Sequence, residues 1–424
     1  MVKIDGNYRE YKLDNGLVVA LQNTPTQTVA TKLRVNQGSS HEGKGEEGMA
    51  HFLEHCLVSG GSQKYDPLTA DEISGSFGYF NAATSLGRTF FLGQMLTEDL
   101  DRWLDYISDH TLRPRFDQER VNSERERVLR EISDAKSNPV YLHDQEFDAI
   151  FYRGHPKGRF NLGKEEVVKN ADLTKIKKFH SKGFSPNNMD LILAGGLPGN
   201  IEELVDKYFG PIPRGKNTRK DFPEIKPLQG KTIIHRSAPY KYNVDNPEES
   251  STQVLLASIC PAELHPDEYA LRSMSKILGG DRNSLLFQNL SLKKGLAYSV
   301  SMSYNGDYNC GQLNISANVP ANRINEAVDA LFEEIEGIKT QRTSDKTLDR
   351  IKRQVKYDNA KTLESNERHI SNIELKLDGN ETLESIMEDY NKVTPERILE
   401  VANKYLPDKE NGDYVLYIGD PLKK

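Results

Sequence analysis

The sequence is poor in cysteine, in long apolar runs and in excess positive charge, and each shortage removes a class of function. Three cysteines, Cys56, Cys260 and Cys310, are scattered over 424 residues. The number is odd and no C-x-x-C occurs, so a disulfide framework is not expected and a reducing cytoplasm is the expected compartment. Apolar runs such as Val254–Ile259 are far too short for a membrane span, which takes about 20 residues. Met1–Tyr8 leads into a polar, strand-like segment and not into an apolar leader. Lys plus Arg is 56 against 63 for Asp plus Glu, a formal net charge of −7, whereas a nucleic-acid binder would normally show a basic face. What remains is 36% hydrophobic and 28% charged. That is a globular composition, and the length suits roughly two to four domains.

The second half of the chain echoes the first. Leu173–Thr174 opens a helix-like stretch (Ile176, Phe179, His180, Phe184) followed by the apolar strand Asp190–Pro198. Val393–Thr394 opens a similar stretch (Ile398, Val401, Tyr405) followed by Asp413–Pro421, at nearly the same spacing. Two copies of one domain are therefore expected, 1–225 and 226–424, with the Pro-, Lys-, Asn- and Asp-rich segment Pro211–Ser250 as linker. Tyr11–Leu21 and Val29–Val35 read as strands. Leu96–Ser108 and Arg323–Ile338 read as amphipathic helices, with stripes Leu100, Trp103, Leu104, Ile107 and Ile324, Val328, Leu331, Ile335. Runs of strands with segregated helices predict an α+β architecture, each domain a sheet with helices on one face.

The strongest chemical signal is Gly48-Met-Ala-His51-Phe-Leu-Glu54-His55. Residues at i, i+3 and i+4 share a helical face, so His51, Glu54 and His55 point the same way. Two neutral imidazoles one turn apart can hold one Zn²⁺, and a carboxylate beside them can take a proton from water that the metal acidifies from pKa 15.7 to about 7. The order H-x-x-E-H inverts the commoner zinc-protease order. With ten histidines and 63 acids, about 0.03 chance occurrences are expected in the chain. Three polar side chains on one face among Met49, Phe52 and Leu53 would also be hard to bury without a shared partner. Cys56, one residue on, points about 100° off the ligand face and reads as core filler.

A hydrolytic zinc site needs a third protein ligand and one open position. Glu119–Lys136 reads as a long helix with Val121, Val128, Leu129 and Ile132 on its apolar side. Glu124 and Glu131 are two turns apart on one stripe, and Glu126 points away to solvent.

H-x-x-E-H followed by a glutamate 76 residues after the second histidine resembles the M16 metallopeptidases, the pitrilysin, insulin-degrading-enzyme and mitochondrial processing peptidase family. The resemblance implies that His51, His55 and Glu131 hold one Zn²⁺ per chain, that Glu54 is the general base, and that Glu124 orients a ligand histidine. It runs through most of the chain. Tyr11–Val19 is similar to the family's first strand, and Gly154-His155-Pro156-x-Gly158-Arg159 to its "GHPLGR" stretch, where His155 reads as structural. Gly279–Phe287 and Gly295–Val300 are similar to its second-half signature. Gly78–Ser85 is similar to its substrate edge strand, which implies that Asn81 and Ala82 bind substrate by main-chain strand addition. The implied fold is that of LuxS- and processing-peptidase-like metallohydrolases, with two related α/β domains per chain and chains paired into a clam-like chamber.

The pattern also departs from the family. The stretch around Arg272–Ile277, opposite His51–His55, has no histidine, and Leu348–Tyr357, opposite the Glu131 helix, is basic. Only the first domain is expected to bind zinc. Many active members carry an Arg and a Tyr seven apart in the second domain, as donors to the developing oxyanion. Tyr298 is present here and would be catalytic, but Ser291 stands where the Arg is expected. Leu285 also stands where an Arg is common, and Arg282 and Lys293 are only nearby substitutes. Some family members divide these residues between two chains, and this chain fits the zinc-bearing one. The expectation is a cytoplasmic zinc endopeptidase cutting short or unfolded peptides, in a heterodimer with an Arg/Tyr-bearing partner, favoured over a homodimer, with no nucleic-acid or membrane partner. The rivals are a non-catalytic scaffold that retains zinc and a hydrolase of small amides.

Overall fold

A computed structural model describes residues 7–160, 162–219, 222–236, 250–379 and 381–419. Two compact units are present. The first comprises Met1–Ala135, Phe160–Lys220 and Ala360–Asn380, the second Lys136–Arg159, Asp221–Asn359 and Glu381–Lys424.

The first unit is built on a six-stranded sheet of β1 (Tyr8–Lys12), β2 (Val18–Asn23), β3 (Thr28–Val35), β4 (Tyr79–Thr84), β5 (Thr89–Leu96) and β6 (Met189–Gly195), in the order β1-β2-β6-β3-β5-β4. The segment Tyr11–Leu21, expected as one strand, is two. Asp14-Asn15-Gly16 breaks it, Gly16 at φ +95° takes a backbone conformation that L side chains avoid, and β1 folds back antiparallel on β2. Helices Met49–Ser59, Leu100–Leu112 and Leu173–Gly183 pack one face of the sheet into a core with Phe52, Trp103, Leu104, Phe179 and Leu191. The helix expected from Leu96 starts at Leu100, because Leu96 still belongs to β5 and Thr97–Asp99 forms a 3₁₀ turn.

The opposite face is lined by Ala20, Ala30, Ile192 and Ala194, and helix Asn366–Gly379 lies on it through Ile370 and Ile373. Beside them Arg34, 1% exposed, binds Asp190 and Asp378 at 3.0 Å each. This helix comes from the C-terminal half of the sequence.

The second unit has β7 (Lys231–Arg236), β8 (Ser251–Cys260), β9 (Ser299–Asn305), β10 (Gly311–Pro320) and β11 (Tyr414–Gly419), in the order β7-β11-β8-β10-β9. The segment expected as linker contains β7; its residues 237–249 lie outside the described residues. One face packs against helices Glu268–Gly279, Ile324–Thr340 and Pro395–Tyr405. The other receives Phe147, Phe151 and Tyr152 against Leu255, Val415 and Tyr417; these aromatics come from helix Pro139–Phe151 and its end, from the N-terminal half.

The two sheets repeat one topology. β2 and β6 are parallel as β7 and β11 are, and β3, β5 and β4 then follow in antiparallel order as β8, β10 and β9 do. Mixed α/β layers in two like units agree with the expected fold class. The three cysteines are free and buried. No helix among the described residues is long and apolar enough to cross a membrane.

Candidate metal centre

Helix Met49–Ser59 is amphipathic in the sense that matters for a metal. Met49, Phe52, Leu53, Cys56 and Leu57 enter the core, while His51 and His55 stay only partly buried on the other side. Its start is held by two features. Gly48 sits at φ +100° with its backbone against Gly163, and a Cβ there would meet the Leu162 carbonyl at 2.9 Å. Gly48 offers no side-chain cap; instead Glu42 accepts a hydrogen bond from the Ala50 N–H at 2.8 Å, placing negative charge where the helix dipole favours it. Cys56 is fully buried, and burial pushes its thiol up.

The third side chain arrives from helix Gln118–Ser137, which buries Val121, Val128 and Ile132. Its Glu131 carboxylate Oε2 lies 3.7 Å from His51 Nε2 and 3.6 Å from His55 Nε2, and the two Nε2 atoms are 3.2 Å apart. Among the described residues these three form the one group of His, Cys, Asp and Glu close enough to hold a metal. Ligand atoms about 2.0–2.2 Å from a tetrahedral zinc sit about 3.3–3.6 Å from each other, so the donor set fits zinc. Two imidazole nitrogens and a carboxylate oxygen at this spacing have few protons to share and otherwise repel.

Glu124 takes the orienting role. Its Oε2 accepts from His55 Nδ1 at 2.8 Å, which leaves Nε2 free as the ligand atom. Burial raises the Glu124 carboxyl, but the His55 hydrogen bond and charge outweigh it and the net shift is down. His51 is lowered to about 4 by burial and by the neighbouring His55, so it is neutral and ligand-ready at pH 7. Its Nδ1 is buried without a hydrogen-bond partner. Arg127 reaches toward both Glu124 and Glu131, at 3.9 and 3.7 Å. Glu126, with a side chain 76% exposed, plays no part.

Glu54 is 8% exposed. Burial pushes its carboxyl up, partly offset by the Thr84 hydroxyl, which donates to Oε2 at 2.7 Å. A largely buried carboxylate of raised basicity is suited to accepting a proton from water. Thr84 is the contact that reading the sequence missed, although the period of two from Ala82 along β4 already places it on the same side of the strand.

Asn81 and Ala82 lie on β4, the edge strand of the first sheet. Asn81 is exposed and donates to the Tyr79 hydroxyl at 3.0 Å. Tyr298 belongs to the second unit and is 90% exposed. Ser291 sits in the π-helical turn Phe287–Lys293 and donates to the Ala297 carbonyl at 2.7 Å. Arg282 stacks over Phe287. His155 caps the turn at Lys157 and its Nε2 lies 3.2 Å from the Tyr308 carbonyl, the contacts of a structural histidine.

Residues 17–164 match the family model described as Insulinase (Peptidase family M16), and residues 170–355 match the Peptidase M16 inactive domain. The chain is 28% identical over 424 residues to the uncharacterized zinc protease YmxG of Bacillus subtilis, covering 97% of this chain and 98% of that one. It is 29% identical over 203 residues to the mitochondrial-processing peptidase subunit beta of Neurospora crassa, covering 47% of this chain and 43% of that one. Among solved structures, a protease from Helicobacter pylori superposes with a TM-score of 0.83 at 23% identity, over 97% of this chain and 99% of that one. A peptidase M16 inactive domain from Pseudomonas fluorescens superposes at 0.85 and 19%, over 97% of each; both likenesses are of fold. Two models of one family follow one another along the chain, over residues 17–164 and 170–355, and a relative of the same kind aligns over nearly its whole length: the chain belongs to peptidase family M16, in the short type with two related domains.

Proposed function

We propose that the protein is a zinc-dependent endopeptidase acting on short or unfolded peptides. The observation that carries this reading is the convergence of His51, His55 and Glu131 on one point with Glu54 beside them. Zinc held there supplies Lewis acidity, polarising a peptide carbonyl and acidifying water toward neutral pH. The chain's own groups do the rest. Glu124 fixes the His55 tautomer, Glu54 takes the proton of the attacking water and returns it to the leaving amine, and the free edge of β4 at Asn81 and Ala82 receives the peptide as an added strand. Strand addition reads extension more than side chains, which suits unfolded substrates.

Tyr298 is an exposed hydroxyl of the kind that serves a developing oxyanion, but Ser291, turned onto the Ala297 carbonyl, stands where the resemblance expects the arginine. A partner chain of the same family bearing Arg and Tyr would complete the site, and a heterodimer enclosing a chamber follows from that need. Curated names of relatives support the peptidase activity and zinc as cofactor, and one of them is a subunit by name. Three buried free cysteines suit a reducing cytoplasm.

A second reading is favoured by Ser291 and by the match of residues 170–355 to an inactive-domain model: a zinc-retaining scaffold subunit. A quenched-peptide assay on wild type, Glu54→Gln and chelated protein, each with and without a co-purified partner, separates the two. Cleavage that disappears in Glu54→Gln supports the enzyme; zinc binding with no cleavage under any partner condition supports the scaffold.

A further inference from the structure

We propose that Thr84 is the positioning residue for Glu54, tying the orientation of the general base to the strand that receives the peptide; this rests on the peptidase reading of the site. The Thr84 hydroxyl has two acceptors in reach, Glu54 Oε2 at 2.7 Å and the Ala50 carbonyl at 3.5 Å. A hydroxyl has one proton to give, and the shorter contact, to a carboxylate, takes it. Among the described residues Thr84 is the one side chain that donates a hydrogen bond to Glu54. It holds Oε2, and through the planar carboxylate it fixes the direction of Oε1 as well.

The residue type fits the task. A β-branched side chain on a strand has few χ1 choices, so the hydroxyl direction is set by the backbone of β4. Among the described residues that backbone pairs on one side only, with β5, where Thr84 is opposite Thr89. A peptide adding to the open side would stiffen the same strand. Peptide docking and alignment of the base therefore share one structural element, and a glutamate on a helix with no such tether would sample several rotamers.

Threonine to valine keeps the shape and the strand preference and deletes the donor; threonine to serine keeps the donor. The test uses zinc-loaded wild type, Thr84→Val and Thr84→Ser. It measures kcat and KM on a quenched peptide, zinc affinity by chelator competition, and the Glu54 carboxylate in crystals of each. A misplacement of about 1 Å costs on the order of a hundredfold, so Thr84→Val is expected to lose roughly ten- to hundredfold in kcat. KM and zinc affinity stay near wild type, and Glu54 spreads over more than one orientation. Thr84→Ser is expected to restore kcat and the single orientation. The proposal is overturned if Thr84→Val keeps wild-type kcat, if Thr84→Ser is as impaired as Thr84→Val, or if Glu54 keeps one orientation without the hydroxyl. If wild type binds zinc and cuts nothing either alone or with its co-purified partner, the peptidase reading fails, and the Glu54 orientation in the three crystals still decides the role of Thr84.

Discussion

His55 Nδ1 and Glu124 Oε2 are 2.8 Å apart, joining two helices whose residues are 69 positions distant in the chain. The bond commits His55 to present Nε2 toward Glu131. Replacing Glu124 with Gln should lower zinc affinity about 10–100-fold, the usual cost of removing such a partner. Competition with a chromophoric chelator measures it, and an unchanged affinity would show that packing alone orients the ring.

Glu54 is not among the three ligand side chains, so Glu54→Gln should keep zinc and lose turnover. General acid–base catalysis contributes about 10²–10⁴-fold, and kcat should fall within that range. Metal content by elemental analysis and kcat on one peptide check both halves; loss of zinc together with activity would move Glu54 into the ligand set.

Chelation should destabilise the first unit as well as silence the site. A ligand at a hundred times its Kd stabilises the native state by about 2.7 kcal/mol. The thermal midpoint of zinc-loaded protein should therefore exceed that of chelated protein, and His51→Ala should abolish the difference.

Acid should weaken the metal-free fold in the window below pH 6.5. His110, 2% exposed, has its pKa lowered by burial despite a hydrogen bond to the Tyr106 carbonyl. The folded protein then binds this proton less readily than the unfolded chain. The stabilisation is complete above about pH 6.5 and is lost as pH falls toward the folded pKa. One such group contributes a slope of at most about 1.4 kcal/mol per pH unit. Urea unfolding across this range should show a flatter pH slope in His110→Phe, even if that variant is weaker at pH 7.

Arg34 should be the costliest surface-charge type residue to delete, because it is buried. Removing one partner of a buried ion pair costs about 3–5 kcal/mol, and Arg34→Ala would leave Asp190, itself 2% exposed, with Arg219 and a long hydrogen bond from the Asn36 amide. Lys64→Ala, which breaks the exposed pair with Asp105, should cost less than about 1 kcal/mol. Equilibrium unfolding of the full chain compares them.

The local parts of this structure were readable from residue spacing, and the non-local parts were not. Helix Gln118–Ser137 falls within a residue of its expected ends because its apolar stripe of Val121, Val128 and Ile132 is clean. The ligand face of His51 and His55 follows from i, i+4 geometry alone. β7 escaped notice because its alternation is short and only Ile234 is buried. The break in Tyr11–Leu21 was masked by apolar residues on both sides of Gly16. The duplication showed as faint helix-then-strand echoes, whereas the matching strand order of the two sheets became visible only in three dimensions. Nothing in the spacing of Asn366–Gly379 announces that its isoleucines meet Ala20 and Ala194.

That last feature bears on synthesis. A ribosome that has finished the sixth strand at Gly195 has not finished the unit to which it belongs, because the helix that roofs Ala20, Ala30 and Ala194 is still some 170 codons away. At about 5–20 residues per second the nascent sheet waits many seconds with that strip bare and Arg34 lacking Asp378. Expression of the N-terminal half alone would make the wait permanent.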